Sequence, residues 1–460
     1  MKKKTAALCI TTCMITALLG GCGGTEKKTA DNKDTEMTEM KEESDSTGTE
    51  KEGKGPGTLT VWNAVLNDID DSGIYADDEL AFNIALERYK EKYPDITVEI
   101  VRYGVDELNQ LLTAASLSGD LPDVICTWAG SYTNNYKELL LNLEEHMTEE
   151  EISQYTGLDI CREDMQPEGK LQALPEGLTT YNVYYNKSVL KEAGISEGTE
   201  PKTWDEFLEL CKQVKDNTDA IPVSMVGDGS VEAWVLSEFF ADELGPDELS
   251  KLGTGEIKFD SELFENLYNQ FKRLFDEGYV NDDYKSTDYN AVSASFCNGD
   301  TAFNFGGSWG QSSLNDLMGD EVGTFKIPAY SKDSPFGDYI ISQPGTSLSV
   351  INTTDMPEEA VDFIVTFTDG EYQQVECSQF GNIPSNKTAD PSMITNPLTK
   401  ISDEWVQNDK NLIGFDSLIS AEAASEFYKN TVVVNSGDMT ARELGKTIDG
   451  IMEKGTKSAE

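Results

Sequence analysis

The chain has 460 residues, of which 38% are hydrophobic and 26% are charged, so it is long enough for two or three domains with substantial cores. Its 84 acidic and 36 basic residues give a formal net charge of -48, which makes nucleic acid and anionic membrane surfaces poor partners. A single histidine, His146, argues against a histidine-based metal site and against a Ser-His-Asp triad elsewhere, and we expect no metal and no cofactor.

The first 21 residues have the pattern of an export signal. Three lysines precede the apolar stretch 5–19, which is too short to span a bilayer comfortably. Small residues then lead to Cys22, and the order Leu19-Gly20-Gly21-Cys22 resembles a bacterial lipobox. The resemblance implies cleavage before Cys22 and a diacylglyceryl thioether on its sulfur, so that residues 1–21 form a lipoprotein signal peptide. An ordinary secretory signal that happens to carry a cysteine is the alternative.

A polar segment, residues 22–57, follows the predicted lipid site. It consists mainly of Gly, Thr, Glu, Lys, Asp and Ser and has almost no apolar residue. Such a stretch cannot bury enough apolar surface to offset its ordering entropy, which predicts a disordered tether. A tethered lipoprotein lies outside the cytoplasm, so the predicted location is the extracellular face of the cell membrane, held there by the lipid anchor.

Short apolar strands alternate with amphipathic helices in the next part of the chain. The patterns predict strands at 58–62, 96–101 and 122–126 and helices at 79–93 and 105–117. This alternation indicates βαβ units and a mainly parallel sheet. In such open sheets ligands lie beyond the carboxyl ends of the strands, and these ends carry Trp62, Asn63 and Trp128.

Residues 169–186 carry a pattern that bears on the domain organisation of the whole chain. A short apolar run is broken by Pro175 and Gly177, and an alternating, aromatic-rich run follows at 179–185. The pattern indicates strand, breaker and strand, followed by a helix that begins near Lys187. From these residues alone, an ordinary β-hairpin within one domain and a crossing from one lobe to another remain equally open.

From residue 200 onward, helical and strand patterns continue to residue 452. Two predicted strands lead into polar, glycine-containing turns: 221–226 into the turn with Asp228 and Ser230, and 301–305 into Gly306-Gly307-Ser308-Trp309. The remaining predictions are a strand at 346–351 and helices at 204–214, 231–240, 261–275, 289–297, 357–367, 371–380, 421–432 and 440–452.

From about Leu59 to the end, the chain resembles the maltose-binding-protein-like extracellular solute-binding proteins (family 1) that serve carbohydrate ABC transporters. Each matching block is weak alone, but nine occur in the right order behind a lipobox. They are the first strand ending in Trp62; Tyr93-Pro94 with Ile96-Thr97-Val98; Leu121-Pro122-Asp123-Val124; Ala173-Leu174-Pro175; Tyr185-Asn186-Lys187 with Ala193-Gly194; Thr203-Trp204-Asp205-Glu206; Phe296 with Gly299; Thr301-Ala302-Phe303 with Gly307-Ser308-Trp309; and Gly381-Asn382-Ile383-Pro384-Ser385.

The resemblance implies an α/β, two-lobed periplasmic-binding-protein-like fold with three interlobe crossings and a ligand cleft. It favours the crossing over the hairpin for the 169–186 stretch. The implied crossings lie near 175–180, 339–343 and 380–384, each beside Gly or Pro as a hinge requires. The corresponding division of the chain is lobe 1 at 58–177 and 341–381, and lobe 2 at 178–340 and 382–460.

The ligand residues follow from the chemistry of a sugar. A pyranose has an apolar C–H face and polar edges, so its site needs flat aromatic platforms and a few polar partners. The tryptophans at or just after strand-end turns are the predicted platforms, and Trp204 and Trp405 are interpreted as structural. The predicted ligand-binding residues are Trp62, Asn63, Trp128, Tyr181, Asp228, Ser230, Trp234 and Trp309. The family's acidic residue of the first crossing falls near Glu176 or Thr179, and its ligand contact stays open.

The predicted function is capture of a sugar or oligosaccharide by a monomeric, membrane-anchored binding component that delivers it to ABC transporter permease subunits. We expect no enzymatic activity. Binding of a peptide or a polyamine on the same fold is the alternative, and a polyamine site would show converging acids in place of aromatic platforms. A secreted glycosidase needs two carboxylates at a set separation, and with 84 acidic residues some pair always fits, although no motif supports it.

Overall fold

The computed structural model describes residues 57–68 and 75–459. The predicted signal peptide, the lipid site at Cys22 and nearly all of the predicted tether lie outside these residues. Within the described part, no helix combines the length and the apolar character needed to cross a bilayer.

The described residues form eleven strands and seventeen helices. The strands are β1 (Thr58–Asn63), β2 (Thr97–Arg102), β3 (Val124–Trp128), β4 (Leu174–Pro175), β5 (Leu178–Asn186), β6 (Ile221–Ser224), β7 (Thr301–Gly307), β8 (Val322–Lys326), β9 (Tyr339–Pro344), β10 (Thr346–Val350) and β11 (Lys410–Leu412). The helices are α1 (Ala81–Lys92), α2 (Val105–Ser118), α3 (Ser131–Asn134), α4 (Glu149–Ile152), α5 (Lys187–Glu192), α6 (Trp204–Asn217), α7 (Ser230–Leu249), α8 (Lys251–Thr254), α9 (Glu262–Asp276), α10 (Tyr289–Asn298), α11 (Gln311–Met318), α12 (Pro357–Thr366), α13 (Gly370–Phe380), α14 (Pro397–Asn408), α15 (Phe415–Leu418), α16 (Ala421–Asn435) and α17 (Ala441–Ala459).

The first sheet has the strand order β2-β1-β3-β10-β4. β1 runs parallel to β2 and β3, as the alternation of strands and helices predicts, and Val61 lies opposite Ile100 and Val124. β10 returns antiparallel to β3 and β4. The apolar faces of α1 and α12 pack on this sheet, and their buried side chains join those of the strands in one core: Leu59, Val61, Ala85, Tyr89, Val124, Leu348, Val350, Phe363 and Phe367.

The second sheet has the order β11-β9-β5-β7-β6, and β8 also pairs with β5. β5 is its centre, because its nine residues pair with β7, β8 and β9. Helices α6, α7 and α9 cover one face of this sheet and form a core rich in aromatic side chains, including Trp204, Phe207, Phe239, Phe271, Phe303 and Phe305. Trp204 is fully buried there, and its indole donates to the carbonyl oxygen of Gln270, which confirms its structural role.

The chain passes between the two sheets at three places. β4 belongs to the first sheet and β5 to the second, so Glu176 and Gly177 connect them. Gly345 likewise connects β9 of the second sheet with β10 of the first. After α13, Ile383 forms a bridge with Leu178 at the start of β5.

The second passage directly follows β9, next to the crossing expected near 339–343, and the bounds of the two lobes stay a prediction. The lobe division drawn between residues 340 and 341 falls inside β9, whose residues up to Pro344 still pair with β5 and β11. β9 is buried along nearly all its length, so its sequence lacks the alternation that marks a strand with one exposed face. The α/β architecture with two sheets is as predicted.

Candidate ligand-binding site

Three of the predicted ligand residues meet at one end of the second sheet, and we call Tyr181, Trp234 and Trp309 the aromatic cluster. The rings of Tyr181 and Trp234 are stacked, with centroids 5.4 Å apart and planes at 20°. Trp309 meets Trp234 edge-on, with centroids 5.4 Å apart, and meets Tyr181 at 6.4 Å. The structure therefore brings together side chains from β5, from α7 and from the turn after β7.

The three rings differ in exposure, and the difference indicates their roles. Tyr181 and Trp234 are 7% and 9% exposed, whereas Trp309 is 37% exposed. The indole of Trp309 lies over Gly307, where a Cβ atom would come within 1.8 Å of a ring carbon. Glycine at 307 is thus required for this ring position, and the two buried rings pack against an indole that remains partly exposed to solvent.

Tyr289, at the first position of α10, is an aromatic neighbour that the sequence patterns did not single out. Its ring is 38% exposed, and its hydroxyl lies within 3.4 Å of the position a Cβ would take on Gly306 in the same turn. Burial raises the pKa of Tyr289, while a hydrogen bond with Trp309 opposes that rise. A tyrosine that follows a helix-capping aspartate has no sequence signature of a ligand residue, so only the fold reveals this neighbour.

Trp128 lies at the end of β3 in the first sheet and is 43% exposed. Its ring meets that of Tyr132 edge-on, with centroids 5.0 Å apart. Gly130, which lies between these two residues in sequence, packs closely against α15. A Cβ atom on Gly130 would lie 3.2 Å from the carbonyl oxygen of Ser417 in that helix. The Oγ atom of Ser417 accepts a 2.8 Å hydrogen bond from Gln343.

Gln343 connects this loop to the aromatic cluster. Its amide nitrogen also lies 3.4 Å from the Tyr181 hydroxyl, and its amide oxygen accepts from the backbone of Gly414 at 2.6 Å. Beside it, the buried carboxylate of Asp416 accepts from the Tyr428 hydroxyl at 2.7 Å. Burial raises the pKa of Asp416. A layer of buried polar groups thus lies behind the cluster and joins α15 and α16 to the crossing strand β9.

Asp228 and Ser230 shape the turn that begins α7. The Oδ1 atom of Asp228 accepts from the backbone nitrogen of Ser230 at 2.9 Å and from its hydroxyl at 2.6 Å. Gly229, at φ +84°, packs against the backbone of Tyr428. Ser230 begins α7 four residues, or about one helical turn, before Trp234, and Asp228 lies just ahead of the helix, so both polar residues share this end of α7 with the aromatic cluster.

Trp62 and Asn63 end β1 in the first sheet, and their side chains are engaged within that part of the fold. Asn63 is 3% exposed, and its amide bonds the backbone of Val65 and Leu66. Trp62 is half-buried and meets the ring of Tyr103 edge-on at 5.3 Å. Their contact with a ligand remains a prediction.

Glu176 and Thr179, whose contact with a ligand the sequence leaves undecided, form hydrogen bonds within the protein. The carboxylate of Glu176, 1% exposed, accepts hydrogen bonds from the hydroxyls of Thr346 and Tyr372. The Thr179 hydroxyl donates to the carbonyl oxygen of Gln343 at 3.2 Å. Both side chains therefore hold the crossing segments together.

A separate cavity of about 730 Å³ lies against β5 and β9, which we call the crossing strands because each adjoins a passage between the sheets. None of the eight predicted ligand residues lines it, and its described lining includes no aromatic side chain. It therefore lacks the platform that a sugar face requires. Among the described residues, no group of three or more His, Cys, Asp or Glu side chains is placed to hold a metal ion.

Comparison with known proteins agrees with this architecture. The chain is 23% identical over 343 residues to the multiple sugar-binding protein of Streptococcus mutans, covering 68% of this chain and 74% of that protein. It is 24% identical over 300 residues to the lactose-binding protein of Rhizobium radiobacter, covering 62% of this chain and 67% of that protein. A solved chitin oligosaccharide binding protein superposes with a TM-score of 0.73 at 22% identity, covering 86% of this chain and 98% of that one.

A family model describes substrate-binding proteins rather than enzymes, and it matches residues 76–374. This range includes the greater part of both sheets and seven of the nine sequence blocks in full. The chain belongs to the bacterial extracellular solute-binding protein family.

Proposed function

We propose that the chain is the lipid-anchored, extracellular binding component of an ABC importer and that it captures a sugar or oligosaccharide between its two lobes. The observation that carries this proposal is the partly exposed indole of Trp309, which meets the buried rings of Trp234 and Tyr181 edge-on. Relatives named for binding sugars, lactose and chitin oligosaccharide support the same ligand class.

The physical basis is stacking of a sugar ring on a fixed indole. Contact between the C–H face of a pyranose and Trp309 removes apolar surface of both from water, worth on the order of 1–3 kcal/mol. Because Trp234 and Tyr181 already hold the indole, little side-chain entropy is lost on binding. Trp128, Asp228 and Ser230 complete the proposed site, with the polar pair available to sugar hydroxyls.

The ligand can be identified by a thermal-shift screen of the purified protein against a panel of mono- and oligosaccharides. A ligand at 100 times its Kd should stabilise the folded state by about 2.7 kcal/mol, which is readily detected. A panel of peptides and polyamines run in parallel tests the alternative ligands. If only these stabilise the protein, the sugar proposal is wrong.

We also propose that the protein does not hydrolyse its ligand. The family consists of binding proteins, and a cleft that closes around a sugar needs no reacting carboxylate pair. Incubation of the protein with a bound oligosaccharide should leave the chain length unchanged by chromatography. Release of shorter products by the purified protein would contradict this.

Lipid anchoring at Cys22 is the proposed means of attachment. The variant Cys22→Ala should appear in the soluble fraction because it lacks the sulfur that carries the lipid. Cell fractionation and intact-mass measurement of the wild type test this. A membrane-bound variant, together with wild type lacking diacylglyceryl mass, would overturn the proposal.

A further inference from the structure

The cavity of about 730 Å³ lies beside β9, and Ser342, Gln343 and Pro344 of this strand all belong to its lining. Gln343 points its amide toward Tyr181 and Ser417 on the cluster side. Successive side chains of a strand alternate between its faces, so Ser342 and Pro344 project from the face opposite the Gln343 amide, and both line the cavity. Its volume lies within the 300–1,000 Å³ range of small-molecule sites.

The lining of the cavity combines segments that pack beside each of the two sheets. Asp159 belongs to the segment that follows Tyr155, which pairs with Asn386 beyond the third passage. Asp403 and Val406 project from α14, which packs beside the second sheet. A ligand here would therefore contact segments associated with each sheet.

Several polar side chains of the lining are already satisfied. Ser385 and Asn386 bond Gln373 and Thr368, and the ammonium group of Lys387 donates to the backbone of Ser153. The amide nitrogen of Asn411 donates to the carbonyl oxygen of Val406 at 3.0 Å. These groups line the cavity, but their hydrogen bonds are already made within the protein and give no indication of a ligand.

The groups that remain are mainly hydrogen-bond acceptors. Ser342 is 7% exposed, and its Oγ atom has no hydrogen-bond partner among the described residues. A buried hydroxyl without a partner is costly, and a ligand donor would relieve that cost. Asp403 accepts a long 3.4 Å hydrogen bond from Gln407, and Asp159 adds a second carboxylate to the lining. This acceptor set favours a ligand with N–H donors and positive charge.

Apolar side chains lie between these acceptors. Leu178, Pro344 and Val406 line the cavity. We propose that the cavity is a second binding site, separate from the sugar cleft, for an aliphatic di- or polyamine. Its ammonium groups pair with Asp159 and Asp403 and donate to Ser342, while its methylene groups pack on the three apolar side chains. Burial raises the pKa of Asp403, and a paired ammonium offsets the cost of its charge.

The test is calorimetric titration of the purified protein with 1,4-diaminobutane and with spermidine at 0.15 M salt. The expected result is saturable binding of one amine per protein, weakened at least tenfold by Asp403→Asn and also weakened by Ser342→Ala. The matched control is Glu404→Gln, which removes the same charge from the adjacent, exposed position of α14 and should leave the affinity within twofold.

Three results would overturn the proposal. Absence of saturable binding would show that the cavity takes no amine. Equal weakening by Asp403→Asn and Glu404→Gln would show diffuse attraction to a chain of net charge -48. Loss of amine binding in Trp309→Ala would place the amine in the sugar cleft. Because Asp403→Asn should keep its sugar affinity, failure of this proposal is distinguishable from failure of the sugar proposal.

Discussion

Some residues of the candidate site can be predicted from the local sequence. Others reach the site only through contacts with distant parts of the chain. Trp309 follows a glycine turn at a strand end, and both features are visible in the sequence. Its contact with Tyr181 depends on the register of β5 against β7, in which Tyr181 lies opposite Gly307. Tyr289 and Gln343 reach the same region only through long-range packing, so no local pattern predicts them.

Glu232, on the first turn of α7, gives a pH-dependent prediction at this scale. One carboxylate oxygen accepts from Asn435 at 2.6 Å, and the other is buried without a hydrogen-bond partner among the described residues. Burial raises the pKa of Glu232 to about 7, from a model-compound value of 4.5. Since the folded state holds this proton more tightly, the group's contribution to stability is complete below about pH 4.5 and is lost as the pH rises through 7.

The variant Glu232→Gln keeps the oxygen that Asn435 contacts but cannot ionise. At roughly 1.4 kcal/mol per pH unit, it should gain on the order of 3 kcal/mol over the wild type between pH 4 and pH 8. Urea unfolding of both proteins at several pH values measures this difference and cancels the background repulsion of the acidic chain. Parallel stability curves for the two proteins would show that Glu232 does not titrate as described.

Whole elements were predictable where one face is buried and the other is exposed, or where a cap marks the end. The long helices α6, α9 and α16 and the strands β1 and β2 lie close to their predicted bounds, and so does β7, which is buried throughout but runs into a glycine turn. β9 was predicted only as a crossing, because its sequence shows no alternation of apolar and polar residues, and β11 has just three residues. α14 was missed although Asn396 caps it and Pro397 occupies its first position, a helix-start signal that was available in the sequence.

The connection between β9 and β10 gives a prediction at the element scale. A Cβ atom on Gly345 would lie 2.7 Å from the Cγ2 atom of Thr179 on the neighbouring crossing strand. Gly345→Ala should therefore displace these strands and reduce the free energy of unfolding by roughly 1–3 kcal/mol. Gly450→Ala is the control, since nothing lies within 4 Å of its Cβ position inside α17, and it should stabilise the protein by up to about 1 kcal/mol. Similar effects from both substitutions would show that Gly345 is not confined.

At the scale of the whole molecule, the ordered family blocks predicted the two-sheet architecture. Strand and helix periodicity alone would not have shown whether residues 169–186 form a crossing or a hairpin. The composition correctly indicated large cores, and the two largest clusters among the described residues are rich in Phe, Tyr and Leu. The place of the second passage could not be read from periodicity, because β9 is continuous with the strands of the second sheet until Pro344.

Ligand-driven closure is the prediction at this scale. Two lobes joined by three short passages can rotate about them, and a ligand that contacts both lobes favours the closed arrangement. Saturating sugar should therefore reduce the radius of gyration of the mature protein in small-angle X-ray scattering. Trp309→Ala, measured at a sugar concentration that only just saturates the wild type, serves as the control and should be less compacted than the wild type. An unchanged scattering curve for the wild type at saturation would contradict closure.

The central claim is that Trp309 is the platform on which the sugar stacks, and calorimetric titration of a sugar from the screen tests it most directly. Trp309→Ala should weaken binding by roughly 10- to 100-fold, since about 1.4 kcal/mol corresponds to a factor of ten. Its melting temperature without ligand should change little, because the side chain is 37% exposed. The control is Trp405→Ala, which removes a half-buried indole of α14 that packs against the ammonium group of Lys326. This variant should keep the wild-type affinity. Unchanged affinity in Trp309→Ala together with a large drop in melting temperature would contradict the account.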